Sequence, residues 1–185
     1  VGDEAVVEPQ AFSLEGRPIR KVRQSVTRLR RQGYHVDVVG PAEVDDALRA
    51  QLCALSAEWR GRAPERGFTM AMDGLWAYED ALLAVARDGA GHLGGFLQLV
   101  PAPAIHGWSL AAMRRRRDSP NGLMEFLVAE TILWAGGRGA SELSLNFAVF
   151  GEYLRAEGGV LRTLLLRLDR LFQLERLHGF SRKFF

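Results

Sequence analysis

Only one cysteine, Cys53, occurs among the 185 residues of the chain. One thiol excludes an internal disulfide and fits a reducing compartment. We expect it to be a small buried residue on a helix. The four histidines are scattered, with no ligand spacing to one another, to the cysteine or to an acid. The sequence therefore predicts no metal site.

Long apolar runs are missing too. No 18 consecutive apolar residues occur and no secretory signal pattern is present, so the sequence predicts no membrane-spanning segment. With 48% hydrophobic and 25% charged residues, the composition is that of a globular protein. Neither end, VGDEAVVEPQAF nor SRKFF, resembles a natural boundary. We expect the chain to be a fragment of a longer protein.

Motifs for covalent or nucleotide-driven chemistry are also lacking. The sequence has no Walker loop and no serine in a nucleophile elbow. The glycines of RDGAGHLGG join two predicted strands, so they indicate a turn and not a phosphate cradle. No cofactor is predicted.

Hydrophobic periodicity predicts the elements of the fold. Helical spacing favours helices over residues 17–32, 43–60, 121–135 and 160–177. Apolar runs and alternation favour strands within 4–14, 34–40, 67–72, 81–88, 92–102, 108–113 and 142–150. In the second helix we expect five residues to face inward: Val44, Leu48, Leu52, Leu55 and Trp59. This order predicts an α/β (α+β) fold with a mixed, mostly antiparallel sheet and helices on both faces. Acyltransferase domains of the GNAT type have the same order of helices and strands.

Positive charge is clustered, although the net charge is only +2. The predicted helix over 17–31, closed by Gly33, carries seven bases and no acid: Arg17, Arg20, Lys21, Arg23, Arg28, Arg30 and Arg31. Such a surface suits anionic lipid, at about 1 kcal/mol per base, or the phosphates of RNA. A solvated face of a basic protein is the alternative.

A second cluster opens the stretch AAMRRRRDSPNGLMEFLVAETILWA, residues 111–135. Four arginines lead into a turn and a nearly all-apolar helix, which we expect to be buried. A helix N-terminus offers unpaired N–H groups and partial positive charge, and Ser119 or Asn121 is expected to cap it. The arginines and amides together predict a phosphate site with Arg115, Arg116 and Asn121 as ligands. A solvated basic loop is the alternative.

Glu125 lies in the first turn of this helix, where the helix dipole favours a carboxylate. Because an acid on a buried helix usually has a partner, Glu125 belongs either to a structural ion pair, for example with an arginine, or to the site.

Five segments in this order resemble the cytoplasmic C-terminal domain of phosphatidylglycerol lysyltransferases, the multiple peptide resistance family (DUF2156). They are FSLEGRPIRKVRQSVTRLRRQGYHVDVV, ERGFTMAMDGL, SLAAMRRRRDSPNGLMEFLVAE, LSLNFAVF and SRKFF. The actinobacterial branch associated with lysyl-tRNA synthetase is the most similar. The resemblance implies a GNAT-like fold that moves an amino acid, lysine by analogy, from aminoacyl-tRNA to phosphatidylglycerol at the cytoplasmic face of the cell membrane.

The resemblance also implies an organisation and a set of partners. Residues 1–33 would be a linking strand and basic helix from a preceding GNAT-like unit, and residues 34–185 a C-terminally truncated GNAT-like domain. The implied partners are lysyl-tRNA, anionic phospholipid, an upstream membrane domain of the same chain and a lysyl-tRNA synthetase.

Residue by residue, Arg114 matches the family's functional arginine, Lys183 its functional lysine and Tyr78 a tyrosine of its site. Arg114 and Lys183 are suited to stabilise the charge that develops on the ester carbonyl, and Glu125 or Tyr78 to assist proton movement. Ala111 stands where the family has an acid. That departure keeps two alternatives open: a non-catalytic GNAT-like module that binds anionic membrane or tRNA, and transfer to a peptide or diacylglycerol. The R-D-S-P-N-G turn lacks the glycines of an acetyl-CoA loop.

Overall fold

A computed structural model describes residues 5–60, 80–103, 106–145 and 182–184. A six-stranded sheet runs through these residues in the order β1-β6-β5-β4-β3-β2. The strands are β1 (Val6–Val7), β2 (His35–Val39), β3 (Leu82–Arg87), β4 (Leu93–Ala102), β5 (Gly107–Arg115) and β6 (Leu143–Ser144). All neighbouring pairs are antiparallel except β5 and β6, which are parallel. The predicted mixed, mostly antiparallel sheet is confirmed.

Three α-helices accompany the sheet: α1 (Arg20–Arg31), α2 (Asp46–Arg60) and α3 (Leu123–Gly137). Short 3-10 turns form at Pro41–Glu43 and Arg182–Phe184. These helices confirm three of the predictions to within three residues at either end. The helix predicted over 160–177, the strand over 67–72 and residues 146–150 of the last strand lie outside the described residues.

The core has two layers, one on each face of the sheet. In β3, Ala84 and Ala86 belong to the layer that contains α1 and α3, whereas Leu83 and Val85 belong to the layer under α2. This alternation follows from the two-residue period of a strand. Helices on both faces are therefore confirmed.

α3 is apolar on nearly all sides, and most of its residues are buried: Leu123, Phe126, Leu127, Val128, Ala129, Thr131, Ile132 and Ala135. The hydroxyl of Thr131 donates a hydrogen bond to the Leu127 carbonyl at 2.7 Å, so this polar group is satisfied inside the helix. The prediction of a buried helix is confirmed.

The N-terminal elements share this core. β1 pairs with β6, and Val22, Val26 and Leu29 of α1 are buried in the layer that contains α3. The assignment of residues 1–33 to a link from a preceding unit stays a prediction. In the described part of the chain, each helix is too short or too polar to cross a bilayer.

Two side chains of α2 differ from the predictions. Cys53 is exposed, because it lies about 100° around the helix from the buried Leu52. Trp59 continues the stripe of Leu52 and Leu55, yet it is 41% exposed. The guanidinium of Arg114 lies over its ring.

Candidate functional site

The run of four arginines is divided among different surroundings. Strand β5 extends to Arg115, so the first two arginines of the run point to opposite faces of the sheet. Arg114 lies opposite Phe96 in the layer of α2, is 4% exposed, and places its guanidinium carbon 5.6 Å from the Trp59 ring centroid. Arg115 lies opposite Gly95, on the face where Met124 of α3 packs. The prediction that all the arginines converge at the start of α3 is wrong for this reason.

Arg116 and Arg117 leave the strand and meet an acid from α2. The Arg117 N–H donates to Glu58 Oε1 at 3.0 Å, and Arg116 Nε lies 3.7 Å from Glu58 Oε2 and 3.2 Å from Asp118 Oδ1. Glu58 thereby binds one backbone amide and one guanidinium of the loop over residues 116–119, which we call the arginine loop. An internal carboxylate therefore contacts the Arg116 guanidinium, which the sequence analysis assigned to phosphate.

The start of α3 faces α1. Its N-cap is Gly122, at φ 82°, without a side-chain cap, so the predicted caps Ser119 and Asn121 are wrong. The hydroxyl of Ser119 donates instead to the Arg116 carbonyl at 2.7 Å. Arg28 of α1 donates to the carbonyl of Asn121. Asn121 therefore contacts a base of α1, whereas Arg114 contacts α2.

Two of the predicted catalytic residues form a pair. Lys183 Nζ lies 2.6 Å from Glu125 Oε1, and their side chains are 39% and 20% exposed. The adjacent Phe184 is buried in the layer of α1 and α3, which fixes the 3-10 turn that carries Lys183. The sequence analysis named an arginine as an example of the structural partner for Glu125, whereas the partner in the structure is Lys183. Tyr78 lies outside the described residues.

Ala111, which the resemblance places at the position of an acid, is the extra residue of a β-bulge. Gln98 of β4 pairs with Ala112 and Leu99 pairs with Leu110, which leaves Ala111 without a partner in the register. Bulges redirect side chains and are common beside active sites. The position of the missing acid therefore lies at a local irregularity of the sheet.

A polar cleft of about 400 Å³ adjoins the arginine loop, lined among others by Tyr34, Asp88, His92, Arg116, Asp118 and Ser119. Burial, and then the charges of Asp88 and Asp118, raise the pKa of the Tyr34 hydroxyl. The pKa of Asp88 is lowered, above all by the hydrogen bond from the His92 N–H. Sequence reasoning missed this cleft, because it treated the segment from Asp88 to His92 only as a turn.

The basic helix α1 divides into two sets of side chains. Arg23 donates to the carbonyls of Leu14 at 2.8 Å and Gly16 at 3.0 Å, and Arg30 Nε lies 2.7 Å from Glu130 Oε1. With Arg28, these bases hold neighbouring segments of the protein. The other predicted surface bases, Arg20, Lys21 and Arg31, are exposed, with no acidic partner among the described residues.

These features can be compared with known proteins. The sequence matches the family described as phosphatidylglycerol lysyltransferase, C-terminal, over residues 1–185. The chain belongs to this family. Phosphatidylglycerol lysyltransferases are aminoacyltransferases, and the resemblance inferred from the five segments is confirmed.

Among curated relatives of this lysyltransferase-family chain is the lysylphosphatidylglycerol biosynthesis bifunctional protein LysX of Rhodococcus opacus (strain B4). The two are 38% identical over 194 residues, which cover 100% of this chain and 17% of the relative. The chain thus spans about one sixth of the length of that relative.

Two solved structures share the fold. The structure of L-PGS from Bacillus licheniformis has a TM-score of 0.70 and 26% identity, covering 84% of this chain and 49% of that one. A C-terminal DUF2156 domain from Agrobacterium fabrum has a TM-score of 0.73 and 23% identity, covering 99% of this chain and 56% of that one. The predicted GNAT-like fold is confirmed.

Proposed function

We propose that this chain is the transferase part of an aminoacyl-tRNA-dependent phosphatidylglycerol lysyltransferase that acts at the cytoplasmic face of the cell membrane. The observation that carries the proposal is the match to the lysyltransferase family over residues 1–185. The curated relative supports it, because its name describes lysylphosphatidylglycerol biosynthesis.

The reaction is an acyl transfer from an ester that is already activated. A hydroxyl oxygen of phosphatidylglycerol forms a bond to the carbonyl carbon of the lysyl ester, and the bond from that carbon to the tRNA ribose oxygen breaks. The proton of the lipid hydroxyl passes to the ribose oxygen. The protein has to hold two anionic substrates, stabilise the oxyanion and help this proton move.

The geometry suggests a division of these tasks. Lys183 and Glu125 meet beside the first turn of α3, whereas Arg114 faces α2 on the other side of the sheet. We assign Lys183 to the charge on the reacting carbonyl and Arg114 to a substrate phosphate. Glu125, held against Lys183, or Tyr78 assists the proton transfer.

The partners follow from the same proposal. Lysyl-tRNA is the donor and the anionic phospholipid is the acceptor. Arg20, Lys21 and Arg31 of α1 supply an exposed basic surface for one of these polyanions. An upstream membrane domain and a lysyl-tRNA synthetase belong to the proposal for the whole protein.

Transfer of labelled lysine from lysyl-tRNA to phosphatidylglycerol vesicles tests the proposal with the intact protein. We expect Lys183→Met to lower the transfer rate at least about 10-fold, because one charge-stabilising group is lost. Glu130→Gln is the matched control, since it removes a second α3 carboxylate that binds a base, Arg30, at 2.7 Å. Equal rates for wild type and Lys183→Met would contradict the assignment.

The rival is a non-catalytic GNAT-like module that binds anionic membrane or tRNA. Ala111 favours it, because the family's acid is missing at that position. Absence of lysine transfer by the intact wild-type protein, with vesicle binding retained, would support the module and exclude lysine transfer to phosphatidylglycerol.

A further inference from the structure

Trp59 stands out on the surface of α2. At 41% exposure it is the one large hydrophobic side chain that is exposed among the described residues. Helical spacing from Leu52 and Leu55 predicts an inward position, so its exposure is a departure from an otherwise regular stripe. Among the described residues no second exposed large hydrophobic side chain joins it to form a contiguous apolar patch of the kind that marks a membrane or protein interface.

Trp59 lies beside a base of β5 and follows the residue of α2 that contacts the arginine loop. The guanidinium of Arg114 lies over the ring, with its central carbon 5.6 Å from the centroid. The preceding residue, Glu58, binds the N–H of Arg117 at 3.0 Å and lies 3.7 Å from the Arg116 guanidinium. The ring is therefore linked through its own helix to two further arginines.

We propose that Trp59 is a stacking platform for the terminal base of a single-stranded RNA 3′ end, with the arginine loop close to the adjoining phosphates. This inference rests on the proposed function, in which aminoacyl-tRNA is the donor, and it locates the subsite for the donor's terminal nucleotide. Aromatic rings beside basic groups bind single strands in this way, because every base has a π-face and every nucleotide a phosphate.

The surface favours a nucleotide over a lipid. Trp59 is the one exposed large hydrophobic side chain of the described residues, and the contact area of one indole suits a single base. The Arg114 guanidinium over the ring adds positive charge beside it. Membrane insertion of Trp59 is the competing use of the same side chain, and the experiment distinguishes the two.

The test measures the binding of a labelled RNA minihelix with a single-stranded 3′-CCA end to the intact protein by fluorescence anisotropy. The comparison probe is the same minihelix with an abasic 3′-terminal nucleotide. We expect Trp59→Ala to weaken binding of the CCA minihelix about 5- to 100-fold, within the range of base–aromatic stacking. Binding of the abasic minihelix is expected to stay unchanged, and Trp59→Phe to retain most of the affinity.

Trp134 provides the matched control. It also carries a guanidinium, that of Arg138, at 4.9 Å from its ring, but it lies in the last turn of α3, far along the helix from the arginine loop. Trp134→Ala is expected to leave the affinity for the CCA minihelix unchanged. Thermal unfolding of each variant verifies folding. If Trp59→Ala does not fold, Trp59→Leu takes its place with the same expected loss, because leucine keeps an apolar side chain but has no π-face.

Four results would overturn the inference. If Trp59→Ala lost affinity equally for both minihelices, base stacking would be excluded. If Trp59→Ala lost binding to phosphatidylglycerol vesicles while its RNA binding stayed intact, Trp59 would be assigned to the membrane. Normal minihelix binding by both Trp59 variants, with wild-type lysine transfer, would refute the inference alone. If the wild-type protein bound neither minihelix, the aminoacyl-tRNA donor of the proposed function would be refuted with it.

Discussion

Glu125 and Glu130 are the two carboxylates of α3, and each accepts a hydrogen bond from a base of a neighbouring element. Both side chains are 20% exposed, with nitrogen–oxygen distances of 2.6 and 2.7 Å. From the sequence, the need of Glu125 for a partner was predictable, because an unpaired acid on an apolar helix is costly. The identity of that partner was not, because Lys183 lies 58 residues away.

Gly122 is a second position where one residue decides a contact. Its φ is 82°, and a β-carbon there would lie 2.8 Å from Ser25 Cβ and 3.0 Å from Arg28 Nη2. We expect Gly122→Ala to lower the free energy of unfolding by about 2 kcal/mol or more, since backbone strain and a steric clash add. Gly91→Ala is the control, because Gly91 has φ 84° but a β-carbon there would meet no atom within 4 Å. Urea unfolding measures both; equal losses would contradict the close approach of α1 to α3.

Asp88 gives the hairpin between β3 and β4 a dependence on pH. Its Oδ1 accepts hydrogen bonds from the N–H groups of Ala90 and His92, both at 2.9 Å, and these hold its pKa below 3.8. A carboxyl whose pKa is lower in the folded state stabilises the fold above its unfolded pKa. This contribution is lost as the pH falls from 3.8 through the folded pKa. The free energy of unfolding is measured for wild type and Asp88→Asn at pH values on either side of this window. As the pH falls, it should decrease less steeply for Asp88→Asn than for wild type. Parallel curves would contradict the prediction.

At the scale of elements, α1 combines two tasks. Arg23, Arg28 and Arg30 hold the loop at residues 14–16, the start of α3 and Glu130, while Arg20 and Arg31 point to solvent. The sequence predicts the charge of this helix but not this partition. Helical spacing predicts which side of α1 is buried, whereas the partners of Arg23, Arg28 and Arg30 lie in other segments of the chain.

This partition predicts the effect of removing bases from each set. Arg20→Gln with Arg31→Gln should weaken binding to phosphatidylglycerol vesicles by about 1 kcal/mol per base at low salt, and less at high salt. Urea stability should change by less than about 0.5 kcal/mol. Arg30→Gln should lower stability by up to about 1 kcal/mol, through the loss of its pair with Glu130. Unchanged vesicle binding in the double variant, with weaker tRNA binding, would assign the surface to RNA.

At the scale of the whole molecule, the element order was predictable from two kinds of apolar pattern. α1 has a regular apolar stripe on one face, and α3 is a nearly continuous apolar run. The site was only partly predictable. Lys183 and Glu125 were each predicted as site residues, but their pairing was not, and Trp59 and Glu58 became visible only once α2 was placed against the end of β5.

The bulge at Ala111 decides which layer of the core each arginine of β5 enters. Counting in twos from Leu110 puts Arg114 in the layer of α3, but the extra residue inverts the parity, so that Arg114 faces α2. A chain shortened at position 111 would keep both arginines in their layers, because Leu110 and Ala112 already pair with consecutive residues of β4. Deletion of Met113 instead would exchange the layers into which Arg114 and Arg115 point. Alignments of this strand should therefore place any gap at position 111.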